Sequence, residues 1–225
     1  MSRRRALPDD TQGSSYVSNN SPIGIDDGLY PDLQTVGGGS QGVDLAAAEK
    51  AVRMLLTALN VPEDDVHLQH TPRRVAETLG WFVTPPEFNP TSFPNDEGYD
   101  ELVLVTDIKF QSLCGHHLLP FSGTAHVGYI PGERVLGLSK LARAVDYFSR
   151  RLQVQERLTM QVADWIDKTL NPVGVGVLLR AEHTCMSARG VRAAGSSTVT
   201  SCLLGRLRED ARTRAEFLAL VSESA

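Results

Sequence analysis

The chain has 225 residues, is 41% hydrophobic, and carries 22 basic against 27 acidic side chains for a net charge of −5. That size supports one sizeable domain with or without an appendage, and the mildly acidic balance excludes general nucleic-acid affinity, so any anion site has to be local. Three cysteines make no disulfide framework, no apolar run approaches the roughly 20 residues of a membrane span, and Arg3-Arg4-Arg5 is not followed by the apolar stretch of a signal peptide, so the expected location is the cytoplasm.

Residues 1–42 are rich in Ser, Gly, Asn, Asp and Pro and end in Gly37-Gly38-Gly39-Ser40. Such a segment cannot bury enough apolar surface to offset its ordering entropy, so a disordered N-terminal tail is expected. A helical region follows over 43–98. Its first helix starts at Asp44 as N-cap, with Leu45, Ala48, Val52, Leu55, Leu56 and Leu59 at spacings of three and four, and stops at Asn60-Val61-Pro62. A second starts at Thr71-Pro72, with Thr71 as N-cap, Pro72 at the first position and a core face of Val75, Leu79 and Phe82. The four prolines between Thr84 and Gly98 predict an irregular loop.

Residues 99–225 carry a mixed pattern. Strands are predicted over Glu101–Phe110, Thr124–Ile130, Val173–Cys185 and Thr198–Leu204, with a turn at Pro131-Gly132. Helices are predicted over Ser139–Leu152, Gln153–Leu170 and Thr213–Val221. Strands that come in pairs, separated by helices, suit an α+β fold with an antiparallel sheet and helices on one face.

Two short clusters stand out: Cys114-Gly115-His116-His117 and His183-Thr184-Cys185. Thiolate and imidazole are the side chains that bind zinc best. A strand from Val173 with alternating side chains puts Val175, Val177, Leu179, Ala181, His183 and Cys185 on one inward face. Cys114, His117 and Cys185 form the obvious ligand set, one short of the four that close a structural zinc site. An open position points to a zinc ion that activates water, and to hydrolytic attack on an electrophilic carbon. His116 and His183 are left to carry protons near neutral pH. Cys202, His67, His70 and His126 have no such partners in sequence and read as structural.

Ser139, Lys140 and Arg143 lie in the first turn of a predicted helix. Cations there oppose the helix dipole by roughly 0.3–1 kcal/mol each, and a bound anion reverses that sign while using the free N–H groups. Ser139 can cap the helix or donate to the anion, and Arg189 could converge from the second cluster. A phosphate ester is the natural ligand, and a solvated basic face is the plain alternative. Glu156 sits in the first turn of the following helix, where it complements the dipole or accepts both N–H donors of a guanine edge.

Taken together, several motifs resemble GTP cyclohydrolase I. They are Cys-x-His-His-Leu-Leu-Pro-Phe from Cys114, Gly-Leu-Ser-Lys-Leu-Ala-Arg from Gly137, Gln-Val-Gln-Glu-Arg-Leu-Thr from Gln153, and His-x-Cys-Met from His183 with Arg189-Gly190. Ala-Val-Arg-x-Leu-Leu from Ala51 and Thr71-Pro72-x-Arg74-Val75-Ala76 extend the likeness, which covers about Asp44 to Val221. The resemblance implies a T-fold (tunnelling fold) and a homodecamer of two pentamers with active sites between subunits. It implies conversion of GTP and water to 7,8-dihydroneopterin triphosphate and formate, with attack at C8 of guanine. It implies zinc on Cys114, His117 and Cys185, proton transfer by His183 and His116, guanine held by Glu156, and triphosphate held by Ser139, Lys140, Arg143 and Arg189.

One position departs: the family usually carries Glu where this chain has Gly115. The change removes a negative charge beside the metal and loosens the turn. It motivates a second hypothesis, a catalytically weak nucleotide-binding or regulatory paralogue. A closed structural zinc module is a third, and no fourth ligand is evident for it.

Overall fold

The computed structural model describes residues 42–62 and 64–223, so the expected disordered tail lies outside the described residues. Two helices come first, α1 (Leu45–Ala58) and α2 (Thr71–Val83). Asp44 caps α1 as expected, its carboxylate accepting from the Ala47 N–H at 2.9 Å. The apolar stripe of α1 is mostly uncovered, however: Val52 is buried while Leu55 and Leu59 stay 55% and 63% exposed. Thr71 is not a cap, because α2 begins on it and His70 precedes it without a side-chain cap bond. Gly80 lets α1 approach closely, since a Cβ there would stand 3.3 Å from the Leu45 side chain.

The predicted proline-rich loop contains a short strand, β1 (Ser92–Pro94), which pairs antiparallel with β4 (Arg134–Leu136). Prolines at its edge hid it, because proline is tolerated on a two-stranded edge but carries no strand signal. The main sheet holds β2 (Val103–Cys114), β3 (Pro120–Ile130), β5 (Leu152–Gln153), β6 (Gly174–His183) and β7 (Thr198–Gly205), in the order β5-β2-β3-β6-β7. All pairings are antiparallel except the two-residue β2–β5 contact, which is parallel. β2 runs to Cys114, four residues beyond the predicted end, because Ser112 and Leu113 are buried and still paired.

Two long helices, α3 (Leu138–Ser149) and α4 (Gln155–Leu170), cover one face of the sheet. Their buried Leu141, Val145, Phe148, Leu158, Val162 and Ile166 meet Val127, Val175, Val177 and Leu179 in the main core. Those odd positions of β6 point inward as predicted. The chain then turns into the short helix α5 (Thr184–Ser187), so Cys185 is carried by a helical turn and not by the strand. Helices are not confined to one face. The C-terminal α6 (Arg206–Glu209) and α7 (Ala211–Glu223) bury Leu207, Phe217 and Val221 against Ile130 and Leu178 on the opposite face. Gly176 makes this possible, because a Cβ there would crowd the Phe217 ring at 3.0 Å.

His126 is buried on that second face, 3% exposed, beside a bulge between Val105 and Ile108. The bulge puts Asp107 at φ 56°, and its N–H donates to His126 Nδ1 over a long 3.5 Å. Burial holds the imidazole below the usual histidine range; Asp107 opposes this, while Arg180 and Lys109 add to it. A base with a depressed folded-state pKa leaves the unfolded chain binding more protons, so stability falls as pH drops below about 6.5. Urea midpoints measured at about pH 7.5 and about pH 5.5 should therefore fall more for the native chain than for His126→Gln. Equal pH dependence in the two proteins would sink this reading.

Candidate functional site

The site lies at one end of the sheet, where β2 and β6 end, β3 and β7 begin, and β5 runs beside Cys114. β2 ends on Cys114, and residues 115–118 form a tight turn before β3. Cys114 closes that turn twice: its N–H donates to Leu119 O at 2.9 Å, and its carbonyl accepts from Leu118 N at 2.9 Å. Leu118 takes φ 53°, a left-handed conformation that a β-carbon makes costly. Gly115 N–H donates to Gln153 O at 2.9 Å, which ties the turn to β5. A Cβ at Gly115 would meet nothing nearer than that oxygen, at 3.5 Å, so the position has room for a side chain.

The turn places both histidines beside the first thiol, with Cys114 Sγ 3.7 Å from His117 Nδ1 and 3.9 Å from His116 Nδ1. Across the sheet, β3 pairs Phe121 with His183 at the end of β6, and Cys185 follows within α5. The ligand atoms of Cys114, His117 and Cys185 all lie within 4.8 Å of one another. All three cysteines are free thiols. Burial pushes the Cys185 thiol up, and the neighbouring Cys114 thiol pushes it further, while Arg189 draws it down. Two thiols that resist joint ionisation beside an imidazole are a donor set that a soft divalent cation suits, since its charge offsets that repulsion. His116 faces its neighbour edge-on, ring centroids 6.2 Å apart, and is exposed.

His183 is held from two sides. Its ring stacks on Phe121 with centroids 4.5 Å apart and planes within 4°. Its Nε2 lies 2.8 Å from Gln155 Oε1. Burial lowers its pKa, and the Glu156 carboxylate partly restores it. Gln155 and Glu156 open α4, whose N-terminus therefore points at this end of the sheet; Val154 provides no side-chain cap there. Gln153, buried in β5, donates to Phe148 O at 2.8 Å and Gln161 Oε1 at 2.7 Å and accepts from Arg157 Nε at 2.9 Å.

Ser139, Lys140 and Arg143 do not join this cluster within one chain. Gly137 is the cap of α3, so Ser139 lies inside the first turn and is no cap. That turn follows Leu136, whose N–H donates to Tyr129 Oη at 2.8 Å. Tyr129 pairs with Val103, at the opposite end of β2 from Cys114. A strand rise of about 3.3 Å per residue between Phe121 and Tyr129 separates the two ends by roughly 25 Å. The helix N-terminus at the metal end is that of α4. Arg189 stays with Cys185, exposed in the loop after α5. Gln155 and Phe121 had escaped the sequence reading. The signal for Gln155 was its place in Gln-Val-Gln-Glu, where only Glu156 had been singled out.

Comparison with known proteins places this geometry. The family model of GTP cyclohydrolase I matches residues 48–222. GTP cyclohydrolase 1 of Aquifex aeolicus (strain VF5) is 49% identical over 179 residues, 80% of this chain and 97% of that protein. GTP cyclohydrolase 1 of Synechococcus sp. (strain JA-3-3Ab) is 45% identical over 217 residues, 93% of this chain and 94% of that one. GTP cyclohydrolase 1 of Brucella abortus (strain S19) is 46% identical over 181 residues, covering 78% and 85%. A matched span that includes both Cys–His clusters, at this identity and coverage, means that the chain belongs to the GTP cyclohydrolase I family.

Proposed function

We propose that this protein is a zinc-dependent GTP cyclohydrolase that converts GTP and water to 7,8-dihydroneopterin triphosphate and formate. The observation that carries the reading is the convergence of Cys114, His117 and Cys185 within 4.8 Å at the sheet end that also holds His183 and Glu156. These three residues would hold the zinc. When bound with an open coordination position, zinc supplies Lewis-acid activation of water near neutral pH.

The chain's own residues do the rest. Glu156, exposed in the first turn of α4, accepts two N–H donors of the guanine edge and so orients the base. His183, its plane set by Phe121, protonates the imidazole part of the base. His116, exposed beside the metal ligands, carries later proton transfers. Gly115 leaves all of these groups in place, which favours a working enzyme over a weak binding paralogue.

Ser139, Lys140 and Arg143 enter through a second copy of the chain. Within one protomer they sit at the far end of the sheet, so a triphosphate anchored on Arg189 near the metal reaches them only if a neighbour brings them. Several features support such assembly into the homodecamer of the T-fold. Among the described residues no further strand pairs with the outer edge of β7, nor with β2 beyond its two-residue pairing with β5. Met54, Leu55 and Leu59 of α1 are 65%, 55% and 63% exposed. In this arrangement 43–98 is the helical region and 99–225 the catalytic domain. No helix among the described residues is long and apolar enough to cross a membrane. We place the protein in the cytoplasm, where its free thiols persist.

Incubating the zinc-loaded protein with GTP should release formate and yield a pterin that fluoresces after oxidation. Cys114→Ser and Cys185→Ser should each lose bound zinc and lower turnover by at least about 100-fold; full turnover in either would refute the metal assignment. Mixing a Lys140→Met protein with a Cys185→Ser protein, then dissociating and reassembling them, should restore part of the activity that neither shows alone. No recovery on mixing would argue against a site shared between copies.

A further inference from the structure

Gln155 is 1% exposed, and its carboxamide is pinned. Its Nε2 donates to Thr198 O at 3.0 Å and to Leu179 O at 3.3 Å, and contacts Thr200 Oγ1 at 3.1 Å. Two of these partners are backbone carbonyls, which only accept. Turning the amide over would set Oε1 against both carbonyl oxygens, the Leu179 one buried and the Thr198 one half-buried, so that acceptor faces acceptor and no proton lies between them. The orientation is therefore decided by hydrogen-bond accounting, and Oε1 must face His183. An amide oxygen has no proton to give, so in the 2.8 Å contact His183 Nε2 is the donor.

We propose that Gln155 is a positioning residue for His183: it keeps the proton on Nε2 and leaves Nδ1 as the nitrogen that exchanges protons with the substrate. This rests on the GTP-hydrolysing reading above. Phe121 fixes the plane of the ring by stacking, and Gln155 fixes its rotation within that plane. Thr159 Oγ1 donates to Gln155 O at 2.8 Å and lies 2.7 Å from Thr200 Oγ1, so the residue is braced at main chain and side chain alike. With Nε2 keeping its own proton on Gln155 Oε1, Nδ1 first takes up the proton that the resulting imidazolium then gives to the base, so losing Gln155 lowers rate and not substrate affinity.

Nitrogen NMR of zinc-loaded protein labelled at histidine, with His183→Asn to assign the signal, reads the tautomer directly. The expected result is a neutral His183 ring protonated at Nε2 and bare at Nδ1; the reverse overturns the proposal. Gln155→Leu, similar in volume but unable to accept, should keep its zinc, hold KM for GTP within about twofold, and lose about 10–100-fold in kcat. A soluble, zinc-replete Gln155→Leu with native kcat also overturns it. If the native protein releases no formate from GTP, the functional reading fails, while the nitrogen spectrum still decides what Gln155 does to His183.

Discussion

The pairing register of β3 is the constraint on which everything else depends. On one side β3 aligns Pro120 with Leu113, next to Cys114; on the other it aligns Phe121 with His183, two residues before Cys185. Residues far apart in sequence are thus brought to one edge by consecutive positions of a single strand. Side chains alternate along a strand, so a slip of one residue would turn Phe121 away from His183 and send the buried Ala125, Val127 and Tyr129 to the wrong face. Burying those three residues, together with Val175, Val177 and Leu179, selects the register that assembles the site.

Two glutamines then hold the site in shape, one beneath each cluster. Gln153 anchors the Cys114 turn through its backbone carbonyl and β5 through its side chain. Gln155 anchors His183 and ties α4 to β6 and β7. Each is 1% exposed. A buried polar atom left without a partner costs about 1–3 kcal/mol, whereas exposed pairs such as Arg53–Glu49 and Arg73–Glu77 are screened by water and contribute little. The site is therefore braced by two buried amides, one of them helped by the Arg157 guanidinium that donates to Gln153 Oε1. Gly115, where the family resemblance leads one to expect Glu, contributes its N–H to the same scaffold.

Much of this was legible in the sequence, and the exceptions have physical causes. Ligand chemistry and spacing singled out Cys114, His117 and Cys185, because thiols and imidazoles rarely cluster for packing alone. The alternation of β6 was readable up to His183 and failed at Cys185, where helical turn replaces strand. The apolar stripe of α1 was real, yet periodicity does not say which partner covers it. Thr71 as a cap, and capping as one of two roles for Ser139, missed by a residue or two because capping residues mark helix starts only to that precision. The distance between Ser139 and the metal cluster was beyond a linear reading, since it depends on the direction in which α3 crosses the sheet. Gln155 was missed because a neutral amide carries no chemical signature until the carbonyls around it are known.

Strand register brings two thiols and one imidazole within 4.8 Å of one another, and on the proposed function they hold zinc with one position open. Zinc K-edge X-ray absorption on the zinc-loaded protein tests it most directly. The expected shell is two sulfur neighbours from Cys114 and Cys185, one imidazole, and a further light atom that exchanges with solvent. A shell of oxygen and nitrogen alone, or four protein ligands with no exchangeable position, would contradict it.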